Sequence, residues 1–349
     1  MESVMARVAA AVVVMLLLYG LPGAASACTR AVYLGQDGLV VTGRTMDWSE
    51  DIRSNFWAFP RGMARDGAAG PRSVTWTSKY GSVVASAYDI GTADGLNEKG
   101  LAANLLYLAE ADYGKPGSGG KLLNVGAWAQ YALDNFASVA EAVAGFSKAS
   151  FAIVAPVLPN GKASTLHLSL SDRSGDSAIF EYVAGKLVIH HGRQYQVMTN
   201  SPTFDQQLAL NTYWNTVGGR AFLPGTVRAA DRFVRTSYFL GLLPETADAR
   251  EALAGVAGLM RAVSVPLGVA SPGEPNISPT RWRTFSDQKN LVYFFDSATS
   301  PSIFWVEMQD LDLAKGAPVK KLELTGGRLY SGNTADKFVA SAPFVFAPY

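Results

Sequence analysis

One cysteine among 349 residues excludes an internal disulfide. Histidine is nearly as scarce, with three. His167 falls on an alternating strand pattern that places it toward solvent, and the adjacent His190 and His191 face opposite ways. None has a second metal-type ligand beside it, so neither a metal nor a histidine base is expected. An excess of one charge is also missing. Thirty Lys and Arg against 29 Asp and Glu leave +1, scattered along the chain, which argues against a nucleic-acid partner.

Long apolar runs are limited to one, from Val8 to Leu18, with Arg7 ahead of it and Gly20 and Pro22 behind. It is shorter than the roughly 20 residues of a membrane span and reads as the core of a signal peptide. Ala25-Ser26-Ala27 supplies the small-x-small pattern of a cleavage site, which predicts a cut between Ala27 and Cys28. The expectation is a leader over 1–27 and an exported bacterial protein, periplasmic or secreted, with no stable membrane insertion after the cut. With 48% hydrophobic residues and no linker or repeat, residues 28–349 are expected to form a single domain.

The pattern after Cys28 begins with strands. Ala31–Leu34 and Leu39–Gly43 flank the turn Gly35-Gln36-Asp37-Gly38 as a hairpin. Val74–Ser78 and Val83–Ala87 suggest a second pair around Tyr80-Gly81, and Asp94–Leu96 with Leu101–Leu108 a third around Asn97–Gly100. Residues 114–120 read as a polar loop, and apolar spacings of three and four predict a helix over 125–146. Strands are expected at 165–172, 179–183 and 186–190, helices at 230–242 and 248–263, and strands again at 291–295, 302–309 and 319–324. That order suits an α+β fold of two sheets between helical layers.

The only cysteine sits on the expected cut. Once exposed as the first residue, Cys28 carries a thiol with a reference pKa near 8.5 and an α-amine of about 7.7–8.0. One residue then contains both a nucleophile and a base, with no histidine relay. Two other uses compete: an inert thiol, and a lipid-acylated cysteine anchoring an exported binding protein. The lipid signal usually has Leu three residues before the cysteine, where this chain has Ala25.

Five blocks bear on this choice: Cys28-Thr29-Arg30, Gly43–Trp48 (GRTMDW), Asp94–Leu101 (DGLNEKGL), Thr199–Pro202 (TNSP) and Arg232–Arg235 (RFVR). Taken in order from Cys28 to Arg235, they resemble the choloylglycine hydrolase family, which includes conjugated bile salt hydrolases and penicillin V acylases. The resemblance implies an N-terminal nucleophile hydrolase with a four-layer αββα sandwich of two antiparallel sheets. It implies that Arg44 favours the thiolate of Cys28 and that Asp47 orients the α-amine. Asn200 would donate to the tetrahedral oxyanion, as would the backbone N–H of Tyr107, and Arg232 would tie the polar cluster together. The family also suggests a homotetramer.

Three positions depart from the bile salt hydrolase pattern: Tyr107 for Asn, Ser201 for a second Asn, and Asp231 for Ser. The tyrosine, together with a signal cut that delivers Cys28 directly, resembles the exported branch that acts on penicillin V and N-acyl homoserine lactones. The expected function is hydrolysis of a linear, non-peptide amide in a small-molecule substrate, without metal or cofactor. Trp48, Trp57, Tyr80 and Tyr107 are candidates for the wall of an apolar acyl pocket. Bile salt hydrolysis is the alternative within the family, and a lipid-anchored binding protein the alternative outside it.

Overall fold

A computed structural model describes residues 28–161, 163–219, 221–269 and 277–349. The expected leader, 1–27, lies outside the described residues. The first hairpin forms as expected, Thr29–Leu34 pairing antiparallel with Val40–Asp47 around the short turn Gln36–Gly38. It is the heart of a seven-stranded sheet. Val197–Met198 flanks its first strand, and Thr280–Asp287, Val292–Ser297, Phe304–Glu307 and Gly332–Asn333 follow on from the second. A nine-stranded sheet faces it. Its centre is Leu166–Ser171, Ala102–Tyr107, Gly91–Asn97 and Ser82–Ala87, all antiparallel neighbours.

Each sheet buries its outer face under helices. Ala249–Ala262 lies on the seven-stranded sheet so closely that a Cβ on Gly43 would meet Val256 at 2.7 Å. Trp128–Asn135 approaches the nine-stranded sheet in the same way: a Cβ on Gly95 would lie 2.9 Å from Leu133. A third core fills the space between the sheets, with Phe56, Leu96, Tyr293 and Phe304 at its centre and Cys28 at its margin. The architecture is therefore the four-layer αββα sandwich.

Several elements differ from the sequence reading. Thr75–Thr77 pairs with Ala64–Asp66, not with Ser82–Ala87, which lies between Phe56–Phe59 and Gly91–Asn97. The Asp134 carbonyl accepts from the Lys79 and Tyr80 amides and binds this turn to a helix end, so it is not a hairpin tip. The single helix expected over 125–146 is two, Trp128–Asn135 and Val139–Ser147. Ser138 caps the second by accepting from the Glu141 amide, and Asn97 donates to the Leu133 and Phe136 carbonyls at the break.

His167 does not face solvent. Its strand lies mid-sheet with both faces covered, and His167 is fully buried with Nδ1 2.8 Å from the Glu181 carboxylate. Alternation here separates one buried face from another. Some inward polar residues pair across the sheets, as Thr42 and Ser171 do at 2.8 Å.

Candidate active site

Cys28 stands at the start of the first strand, 1% exposed. Its sulfur lies 3.9 Å from Nη2 of Arg44 and 3.9 Å from the Asp47 carbonyl oxygen. Both neighbours come from the paired strand Val40–Asp47, whose alternation turns Arg44 and Met46 to the same face. Burial pushes the thiol pKa up, and the Arg44 charge pulls it back. The expected proximity of Arg44 is therefore present, but it works against a larger desolvation.

The main-chain nitrogen of Cys28 donates to Oδ1 of Asn200. The same oxygen accepts from Arg232 Nη2 at 3.2 Å, and the two donors fix which way the Asn200 amide faces. Its Nδ2 then donates to the Tyr107 carbonyl at 2.6 Å. Asn200 is held from behind by Gln207, which donates to the carbonyls of Asn200 and Pro202 and accepts from the Thr199 hydroxyl at 2.7 Å. Arg232, on the helix Ala229–Leu240, donates to the Cys28 carbonyl at 2.8 Å and to the Thr29 hydroxyl, and lies 3.7 Å from Oδ2 of Asp47.

Asp47 is fully buried, and its Oδ1 accepts from the Thr280 hydroxyl at 2.6 Å. Burial pushes its pKa up to about 6, against the pull of Arg232, Thr280, Thr45 and Arg44. Arg44 has a carboxylate behind it as well. Nη1 is 3.9 Å from Asp94, which accepts from Tyr293 at 2.5 Å and Asn104 at 2.6 Å. The Arg44 guanidinium also lies 4.7 Å over the Trp282 ring and donates to the Leu105 carbonyl at 2.9 Å.

Tyr107 ends the strand that carries Leu105. The Leu108 amide donates to Thr165, so the paired position Tyr107–Leu166 is the non-hydrogen-bonded one in that ladder. The Tyr107 N–H therefore points to the opposite edge. On that edge the neighbouring strand has already parted, its pairing ending at Asp94–Asn104. This backbone group is left aimed past the ladder, on the side where Arg44 has taken the Leu105 carbonyl.

Beside the sulfur lies a pocket of about 690 Å³, part of it open to solvent, with Cys28 and Arg44 on its border and Met46, Trp48, Ile52 and Tyr107 among its walls. Trp48 and Tyr107 meet edge to face at 6.5 Å. Two other aromatic candidates are elsewhere: Trp57 packs with Phe59 and Phe344 beneath the nine-stranded sheet, and Tyr80 lies beside Lys99. All six site residues expected from the sequence are brought into one cluster. Thr280, Tyr293 and Gln207 were missed, because isolated polar residues in strands and helices carry no local signal, and Asp94 was read only as the head of a family block, without its place behind Arg44.

Residues 28–325 match the sequence profile of the linear amide C–N hydrolases of the choloylglycine hydrolase family. The chain belongs to that family. It is thus a hydrolase of linear, non-peptide amides. Among choloylglycine hydrolases, it is 50% identical over 346 aligned positions to the penicillin V acylase of Pectobacterium atrosepticum, with 92% of each chain covered. It is 25% identical to a bile salt hydrolase/transferase of Bifidobacterium longum, over 82% of this chain and 96% of that one. The solved penicillin V acylase of Agrobacterium tumefaciens superposes with a TM-score of 0.87 at 54% identity, over 92% of this chain and 100% of that one. A conjugated bile acid hydrolase of Clostridium perfringens shares the fold, with a TM-score of 0.73 at 24% identity, over 87% of this chain and 98% of that one.

Proposed function

We propose that the chain is an exported acylase of the penicillin V type, with Cys28 as its N-terminal nucleophile. The observation that carries this reading is the double hold on one residue: the nitrogen of Cys28 is held by Asn200, while its sulfur borders an apolar pocket. With residues 1–27 removed, that nitrogen is an amine. It takes the thiol proton, and the thiolate attacks the amide carbonyl. The tetrahedral oxyanion is met by the second N–H of Asn200 and by the Tyr107 backbone N–H. The ammonium returns its proton to the leaving nitrogen, the C–N bond breaks, and water hydrolyses the thioester to release the acid. Asp47 and Arg232 hold the polar cluster, and Arg44 favours the thiolate; no step draws on a metal or cofactor.

Greater identity to penicillin V acylases than to bile salt hydrolases, with Trp48 and Tyr107 walling the pocket, supports phenoxyacetyl or acyl homoserine lactone amides over bile salts. Residues 28–349 act as one domain in this reading, in the periplasm or outside the cell. Burial of the Cys28 sulfur weighs against the lipid anchor, since a diacylglyceryl thioether needs that sulfur at the surface. Exposed Leu210, Tyr213, Val217 and Phe222 on and after one helix support self-association, with a tetramer as the expected state. The test is turnover of penicillin V, an acyl homoserine lactone and glycocholate by the chain that begins at Cys28, alongside the mass of its natural N-terminus. Glycocholate turned over in preference to the other two would overturn the substrate assignment, and a lipid adduct on Cys28 would overturn the nucleophile.

A further inference from the structure

One wall of the acyl pocket comes from the last residues of the sequence, beyond the end of the family match at 325. The Ala347 amide donates to the Ile90 carbonyl at 2.9 Å, and its carbonyl accepts from Nδ2 of Asn124 at 2.6 Å. Asn124 also accepts from the Gly126 amide at 2.8 Å, so one side chain joins the tail to the turn beside it. Ile90, Gly91, Asn124, Gly126 and Ala347 all line the pocket. The backbones of Gly91 and Gly126 pass so near each other that a Cβ on Gly91 would sit 3.4 Å from the Gly126 carbonyl.

This end of the pocket and the sulfur border the same cavity. Asp94, which backs Arg44, follows Ile90 by four residues, past the hairpin turn that ends at Ile90 and a bulge in the strand Gly91–Asn97. The tail itself is anchored by Phe346, buried in the core under the helices, and by Phe344 against Trp57 and Phe59. One main-chain bond, one bond from the Asn124 side chain and the buried Phe346 ring hold this wall in place.

We propose that Ala347 determines specificity: held by Ile90 and Asn124, it closes one end of the acyl pocket and sets the longest acyl group the enzyme takes. The inference rests on the amidase reading for the nature of the substrate. An acyl chain gains about fourfold in affinity for each methylene it buries, up to the length at which it meets the wall. Beyond that length the gain stops.

The test uses straight-chain N-acyl homoserine lactones of increasing length, read in two ways. One is kcat/KM on active enzyme, and the other is Kd on the Cys28→Ala protein, which needs no turnover. Deleting residues 347–349 removes the wall while leaving Phe344 and Phe346 in place. The expected result is a break in the length profile two or more carbons later than in the parent, with the longer chains gaining at least tenfold. Ala347→Leu retains the full chain, and its break should come earlier. Profiles that break at the parent length in both variants would overturn the proposal, and Ala347→Leu alone decides if the deletion fails to fold. Absence of turnover by the parent, with a length break still moving in the binding series, would refute the amidase reading and leave the wall standing.

Discussion

Arg44 and Asp94 face each other from opposite sheets, 3.9 Å apart and fully buried, with Cys28 on the other side of the guanidinium. The arginine is thus shared between a carboxylate that holds it and a thiol that it polarises. Burial is the largest influence raising the thiol pKa, the Asp47 charge adds to it, and the Arg44 charge is the largest influence opposing that rise. Arg44→Gln should therefore shift the rising limb of kcat/KM to higher pH by about one unit or more, since charges this close interact by several kcal/mol even in a polarisable interior. Alkylation of Cys28 by iodoacetamide as a function of pH reads the same shift without substrate. An unmoved limb would mean that the thiolate does not depend on Arg44.

Replacing the sulfur tests the nucleophile. Cys28→Ala should be inert and Cys28→Ser nearly so, both with melting temperatures near that of the parent. One Met retained ahead of Cys28 should also abolish turnover, because an amide nitrogen accepts no proton. Removal of that Met by an aminopeptidase should restore it. Equal activity before and after removal would show that the base lies elsewhere.

Tyr107 and Asn200 touch through one hydrogen bond yet should fail in different ways. Tyr107→Ala loses a ring against Trp48 and keeps its backbone N–H. An aromatic contact of about 0.5–1.5 kcal/mol predicts a several-fold rise in KM for penicillin V with a smaller change in kcat. Asn200→Ala removes an oxyanion donor and the acceptor for the Cys28 nitrogen, and should lower kcat by about 10²-fold or more with little effect on KM. A loss of kcat in Tyr107→Ala as deep as in Asn200→Ala would place the tyrosine side chain in the chemistry.

Asp47 is a cost to the fold above its own pKa. Its carboxyl titrates at about 6 when folded, above the roughly 3.9 of an unfolded Asp, so the folded chain holds this proton more tightly. The penalty is absent below about pH 4 and fully present above about pH 6, reaching about 3 kcal/mol at most. Asp47→Asn should therefore lose activity, and its stability relative to the parent should be more favourable at pH 7.5 than at pH 4.5. Thermal melts of both proteins at the two pH values measure this. A difference independent of pH would show that Asp47 does not titrate in that window.

The sequence made the first hairpin, the three later strand groups and two long helices legible, because turn glycines and apolar spacing are local. Cys28, Arg44, Asp47, Asn200, Arg232 and Tyr107 were legible through their order along the chain. What stayed hidden depends on distant partners. The strand Thr280–Asp287 has polar residues on both faces because it lies between buried networks, so no alternation announces it. His167 was misplaced for the same reason: its polar face meets Glu181 and the opposite sheet, not water.

The bond from Thr280 to Asp47 joins residues 233 positions apart, and those from Cys28 to Asn200 and Arg232 span 172 and 204. Contacts this remote carry the full entropy of closing long loops before they return any stabilisation. Arg44 and Asp47 follow Cys28 within 19 residues, but Asn200, Arg232 and Thr280 join the site only through these long-range contacts. The site is therefore complete only when both sheets and the helix Ala229–Leu240 are in place.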